Sequence, residues 1–246
     1  MRRPADSENV SADSCYRVVM ADATDRDALL AARERVAAAA RGLAEQGLVT
    51  GTAGNVSERA GELVAVTPTG AALGTLSADQ IAVVDLQGGH VEGELAATSE
   101  LELHLGVYGR YGAGAVVHTH APLATALSCV LDELPVVHYQ MLLLGGPVRV
   151  ARYATFGSPE LAEVTLEALR DRNGALMANH GAIVHGPDLD AALGQSLLLE
   201  WACEVYWRAA AIGSPRVLDD GQREAVVKAA VERRYGTTRL ANGGDA

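Results

Sequence analysis

The chain has 246 residues, of which 49% are hydrophobic and 21% charged, with a formal net charge of −11. One domain with a full core is the simplest expectation for that length, and the composition excludes a disordered polymer. The negative charge excludes a nucleic-acid partner, which needs a basic footprint against phosphates. The apolar runs, such as Met141 to Leu144, are far too short to span a bilayer. Cys15, Cys129 and Cys203 are sparse, odd in number and without a CxxC pair, as expected of reduced thiols in a cytoplasmic protein.

In chain order, residues 1–24 are polar and read as a flexible arm. From Asp25, apolar residues Leu29, Leu30, Val36, Ala40, Leu43 and Leu48 recur at helical spacing, and the helix ends near Gly47. Gly51 to Ser57 follows as a small-residue loop. Leu63 to Val66 reads as a strand entering the turn Thr67-Pro68-Thr69-Gly70, and Ile81 to Leu86 as a second strand, turned by Gly88-Gly89 toward Val91. Thr98-Ser99-Glu100 opens a helix with hydroxyl caps, and Gly112 and Gly114 break it. Ala115 to Val117 is a short buried strand leading into His118-Thr119-His120, and Pro122 starts a helix to about Val130.

Val148 to Ala151 is a strand, and Ser158 caps a helix to about Arg170. Ala175 to Met177 runs as a strand into Asn179-His180-Gly181, and Ala182 to Val184 continues beyond. Helices over Leu189–Ile212 and from Gln222 to about Arg234 close one domain, residues 25–240, and 241–246 form a polar tail. Strands and helices without a regular βαβ rhythm predict an α/β three-layer sandwich whose central sheet is largely antiparallel and flanked by helices.

His118 and His120 are two apart at a strand end, so both rings share a face. Two histidines so placed can present two metal nitrogens; a hydrogen-bonded pair at a helix start is the bland reading. His180, taken alone, is a turn histidine. What links the three is that all lie at strand ends, where neighbouring strands can converge, and three His ligands would leave an open catalytic position. His104 shares a helical face with Glu100 and reads as a partly buried packing residue, while His90 and His185 read as solvent-facing or structural. Glu100 is the acid/base candidate, although a carboxylate in a first helical turn is also ordinary. Hydroxyls beside free helix N–H groups make an anion pocket plausible there. In isolation, Gly51 to Ser57 and Thr69-Gly70 read as connecting loops.

Taken in order, GTAGNVS (51–57), TPTG (67–70), TSE (98–100), VVHTHA (116–121), HY (138–139), YATFG (153–157), NHG (179–181) and YG (235–236) resemble the class II aldolase/adducin family, most of all its fuculose-phosphate aldolase branch. The resemblance runs from about residue 27 to 240. It implies a lyase that cleaves a small ketose 1-phosphate into dihydroxyacetone phosphate and an aldehyde. It also implies one Zn²⁺ per subunit (or Mn²⁺ or Co²⁺) on His118, His120 and His180, with Glu100 as general acid/base. The phosphate pocket would comprise Thr52, Gly54, Asn55, Thr69, Gly70, Thr98 and Ser99. Phe156 matches an aromatic on the aldehyde side. Tyr139, taken as catalytic, and Tyr235 match tyrosines reached partly across a subunit boundary in a homotetramer with interfacial active sites. The sequence departs from the fuculose pattern at Glu232, where an aromatic is usual and where a charge would suit a more polar aldehyde. Pentulose-phosphate 4-epimerase, methylthioribulose-phosphate dehydratase and decarboxylase activities share the scaffold. An adducin-head-like interaction module shares it without the metal site.

Overall fold

The computed structural model describes residues 23–236. The expected arm, but for its last two residues, and the expected tail lie outside those residues. Nine strands of the described residues form one sheet: β1 (Asn55–Ala60), β2 (Leu63–Val66), β3 (Ala82–Asp85), β4 (His90–Glu92), β5 (Ala115–Thr119), β6 (Glu133–Leu134), β7 (Val148–Ala151), β8 (Gly174–Met177) and β9 (Gly181–Gly186). Among the described residues, six α-helices accompany them: α1 (Ala23–Glu45), α2 (Leu101–Tyr111), α3 (Pro122–Ser128), α4 (Pro159–Ala168), α5 (Leu189–Ile212) and α6 (Asp220–Arg233).

The strand order is β4-β3-β2-β1-β5-β9-β8-β7-β6. The expectation of a largely antiparallel sheet is corrected to a mixed one. β7 runs parallel to β8, because α4 carries the chain back across the sheet between them, while hairpins and longer returns make the other pairings antiparallel.

The central strands β5, β8 and β9 are buried on both faces, and their apolar residues form continuous runs for that reason. On β5, Ala115 and Val117 join one cluster with α1, α3 and α5, while Val116 joins another with α2 and α4. β9 repeats the division, with Ala182 and Val184 on the first side and Ile183 on the second. With a single Phe in the chain, and that one exposed, Ala, Val and Leu fill these clusters. Ala32, Ala37 and Ala40 of α1 are all within 1% of full burial, where a small side chain lets the helix lie close to the sheet.

β1 differs from the sequence reading. Asn55, Val56 and Ser57 begin a six-residue strand instead of ending a loop. Polar Ser57, Glu58 and Arg59 hide the strand from a search for apolar alternation. Each finds a partner: Glu58 takes a forked bond from Arg35 at 2.9–3.1 Å, Ser57 bonds within the core at 2.6–2.7 Å, and Arg59 donates to the Gly61 carbonyl at 2.7 Å. α2 begins at Leu101 with Glu100 at the N-cap and no side-chain cap; Thr98 instead accepts from the Glu100 N–H at 3.3 Å. Ser158 caps α4 as expected, accepting from Leu161 N–H at 3.1 Å.

Register gathers the chemistry at one end of the sheet. Asn55 at the start of β1 stands opposite His118 near the end of β5, and Thr119 stands opposite Ala182 at the start of β9. Gly181 allows this approach, because a Cβ there would lie 2.2 Å from the Thr119 carbonyl oxygen. Gly181→Ala should therefore destabilise the fold by about 1–3 kcal/mol, the usual effect of overpacking. The check is the urea midpoint, which should fall relative to the parent chain.

Candidate active site

His118 is fully buried at the end of β5, on the sheet face covered by α2. Its Nδ1 donates to the Ala182 carbonyl oxygen on β9 at 2.9 Å. That bond fixes the tautomer and leaves Nε2 as a lone-pair donor, 3.0 Å from His120 Nε2 and 3.2 Å from Glu100 Oε2. His120, two residues on, shares the face, as the strand period requires. His180 arrives from the β8–β9 turn, where Asn179 adopts the left-handed conformation (φ 56°) that Asn tolerates well.

The three rings meet edge to face with centroids 4.8–4.9 Å apart. One ligand atom from each lies within 4.8 Å of the others. Burial pushes His118 down to about 4 and lowers His120 and His180, so the imidazoles are neutral and fit to bind a metal. Three neutral imidazoles beside a carboxylate suit a divalent cation with an open coordination position.

Glu100 supplies that carboxylate and is 6% exposed. Burial works against its charge, but His118, the Asn55 amide and His180 outweigh it and hold the group below its ordinary range. Oε2 accepts from Asn55 Nδ2 at 2.8 Å. Oε1 is buried with no hydrogen-bond partner among the described residues, 3.5 Å from His180 Nε2.

A cavity of about 420 Å³ opens from this cluster. One wall comprises Thr52, Gly54, Asn55, Thr69, Gly70, Thr98 and Ser99, so the two loops and the helix start that read singly as connections meet on one surface. Bonds from Thr98 N–H to the Thr67 carbonyl and from Thr69 N–H to the Ala96 carbonyl, 3.1 and 3.0 Å, lace two of them together. Gly54 (φ 88°) sits where a Cβ would lie 2.9 Å from the His118 carbonyl oxygen. Tyr153, Ala154 and Phe156 form another part of the lining, and no Lys or Arg contributes among the described residues.

Several placements differ from the sequence reading. The Asn55 side chain is turned to Glu100 and His104. His104 is fully buried, not partly, and burial depresses it to about 3. His185, packed flat on Tyr111 with centroids 5.3 Å apart, and the exposed His90 stand as read, one structural and one solvent-facing. Tyr139 and Tyr235 lie outside the cavity of their own chain, their hydroxyls 3.2 Å apart and both rings exposed. Glu232 is also outside it, with Lys228 Nζ 3.9 Å away along α6. Sequence reasoning missed Tyr153, although it heads the quoted YATFG segment, and it missed the polar roles of Ser57 and Tyr108.

The model of the class II aldolase and adducin N-terminal domain matches residues 34–207. The chain belongs to this family. Class II aldolases are metal-dependent, which agrees with the histidine cluster. Over 201 residues it is 37% identical to a 5-methylthioribulose-1-phosphate/5-deoxyribulose-1-phosphate aldolase of Rhodospirillum rubrum, covering 81% of this chain and 90% of that one. It is 38% identical over 183 residues to the L-fuculose phosphate aldolase of Escherichia coli, covering 74% and 85%. Among solved structures, an L-fuculose 1-phosphate aldolase superposes with a TM-score of 0.78 at 33% identity, over 85% of this chain and 97% of that one. These likenesses support a lyase acting on sugar phosphates.

Replacing the half-buried ligand candidate, His120→Ala, should abolish retention of roughly one divalent ion per chain while the circular dichroism spectrum is unchanged. Stoichiometric metal in the purified variant, by elemental analysis, would remove His120 from the ligand set.

Proposed function

We propose that this chain is a metal-dependent aldolase that cleaves a ketose 1-phosphate to dihydroxyacetone phosphate and an aldehyde. The observation that carries the reading is the convergence of His118, His120 and His180 on one another beside the Glu100 carboxylate, whose Oε2 faces His118 and whose Oε1 faces His180, next to a wall of hydroxyls and glycines. The three histidines would hold one divalent cation, Zn²⁺ in the first instance with Mn²⁺ or Co²⁺ as substitutes. When bound, that ion supplies Lewis-acid polarisation of the substrate's oxygens.

The remaining work falls to the chain itself. Thr52, Gly54, Asn55, Thr69, Gly70, Thr98 and Ser99 would bind the phosphate through hydroxyls and backbone N–H groups, at the N-terminus of α2. Holding the phosphate away from the reacting carbons fixes the sugar's orientation. The C3–C4 bond pair stays on C3, the ionised Glu100 takes up the proton that the C4 hydroxyl loses as the aldehyde forms, and Glu100 then delivers that proton to C3. In the reverse direction the same carboxylate removes it. Tyr139 and Tyr235, exposed and paired outside their own cavity, would serve the site of a neighbouring subunit in a homotetramer. We read residues 25–240 as one aldolase domain acting in the cytoplasm.

The aldehyde end carries the substrate preference. Tyr153, Ala154 and Phe156 present aromatic and methyl surface there, and Glu232 contributes nothing to the lining of its own chain. That surface suits a sugar ending in an apolar carbon, as the 5-deoxy and 5-methylthio pentulose 1-phosphates do. The metal-reconstituted enzyme should release dihydroxyacetone phosphate from 5-deoxyribulose 1-phosphate, 5-methylthioribulose 1-phosphate or L-fuculose 1-phosphate in a coupled assay. Epimerised or dehydrated product without cleavage would sink the aldolase reading. Glu100→Gln should keep metal and phosphate binding while kcat falls roughly a hundredfold or more. Near-normal turnover in that variant would contradict its role in proton transfer.

A further inference from the structure

Two spacings line up five buried polar side chains. Asn55 and Ser57 are two apart on β1 and share a strand face. Glu100, His104 and Tyr108 are four apart from the N-cap through α2 and share one helical stripe. The stripe meets the strand face as a continuous hydrogen-bonded chain. Glu100 Oε2 lies 2.8 Å from Asn55 Nδ2, and Asn55 Oδ1 lies 2.5 Å from His104 Nε2. Beyond the ring, His104 Nδ1 lies 2.7 Å from Ser57 Oγ, which is 2.6 Å from Tyr108 Oη. None of the five residues is more than 6% exposed.

The direction of every bond in the chain follows from its first member. An ionised carboxylate only accepts, so Asn55 gives it the amide N–H and turns its carbonyl oxygen to His104. That oxygen only accepts, so His104 carries its proton on Nε2. A neutral imidazole has one N–H, so Nδ1 accepts, and the Ser57 hydroxyl donates to it. Ser57 Oγ then accepts from the Tyr108 hydroxyl. Reversing any single link would set two acceptors or two donors face to face in a buried setting, where an unmade bond is costly.

The two Glu100 oxygens are thereby made unequal. Oε2 is held by Asn55, whereas Oε1 has no hydrogen-bond partner among the described residues and stands 3.5 Å from His180 Nε2. We propose that Ser57, His104 and Tyr108 are positioning residues that act through Asn55 to anchor Oε2 of Glu100, leaving Oε1 as the oxygen that exchanges a proton with the substrate carbon. This rests on the reading of Glu100 as the acid/base. A histidine that merely filled the core would need shape alone, with no fixed tautomer and no bearing on proton transfer.

One measurement is independent of activity. Side-chain ¹⁵N spectra of the full chain, with His104 assigned from its loss in His104→Gln, should show the Nε2–H tautomer with Nδ1 unprotonated. A predominant Nδ1–H tautomer would overturn the wiring. The second measurement uses metal-loaded enzyme and follows hydrogen–deuterium exchange at the carbon of dihydroxyacetone phosphate, together with kcat, KM and metal content. Ser57→Ala should lower the exchange rate and kcat by roughly 10- to 100-fold, with KM and metal content unchanged. Tyr108→Phe, one link further out, should lower them less. His104→Gln, whose amide also offers one donor and one acceptor, should retain more exchange than His104→Ala. Parent-level exchange in Ser57→Ala, or a loss that tracks lost metal, would overturn the proposal. Absence of exchange in the parent enzyme would instead sink the aldolase reading and the proton-exchange role with it, while the tautomer measurement still decides the wiring.

Discussion

The pairing of β5 with β1 on one side and β9 on the other is the constraint on which the site depends. It places Asn55 opposite His118 and brings the Ala182 carbonyl to the His118 ring. A slip of one residue would move His118 to the face occupied by Ala115 and Val117, into an apolar cluster with no carboxylate. Register therefore sets the geometry of the candidate site. Gly54 and Gly181 stand against the end of β5, where a Cβ at either would press on a backbone carbonyl, of His118 or Thr119.

The apolar division of the sheet and the polar chemistry at its end are built by one alternation. Residues facing α1, α3 and α5 form one cluster, and those facing α2 and α4 form the other. His118 falls on the α2 side, so the helix that fills that side with Leu103 and Val107 also brings Glu100 and His104 to it. Burial then decides the protonation of the histidines. It keeps them neutral, which a metal site needs, and in His104 it makes a single directed hydrogen bond available at each ring nitrogen.

A net charge of −11 is awkward for an anionic substrate, and the cavity has no Lys or Arg in its described lining. For the reaction proposed, the positive potential has to come from backbone N–H groups, the start of α2 and the cation held by the histidines. Such a site is local in its electrostatics, and surface charge is then free to serve other ends.

Much of this was legible in the amino-acid order. The 24-residue helix Leu189–Ile212, the strand before His118 and the Ser158 cap follow from periodicity and turn chemistry, which act over a few residues. The eight ordered segments carried the family, and the spacing of His118 and His120 placed both rings on one face. β1 was hidden, because its central residues are polar and Ser57 and Glu58 find their partners in His104, Tyr108 and Arg35, all distant in sequence. The parallel pairing of β7 with β8 was hidden for the same reason, since strand direction depends on where the chain returns. Tertiary structure alone decided that Asn55 faces Glu100, that Oε1 is left unpartnered and that Tyr139 and Tyr235 stand outside their own cavity. Local order determines which residues can point together; only strand register and helix packing determine what they point at.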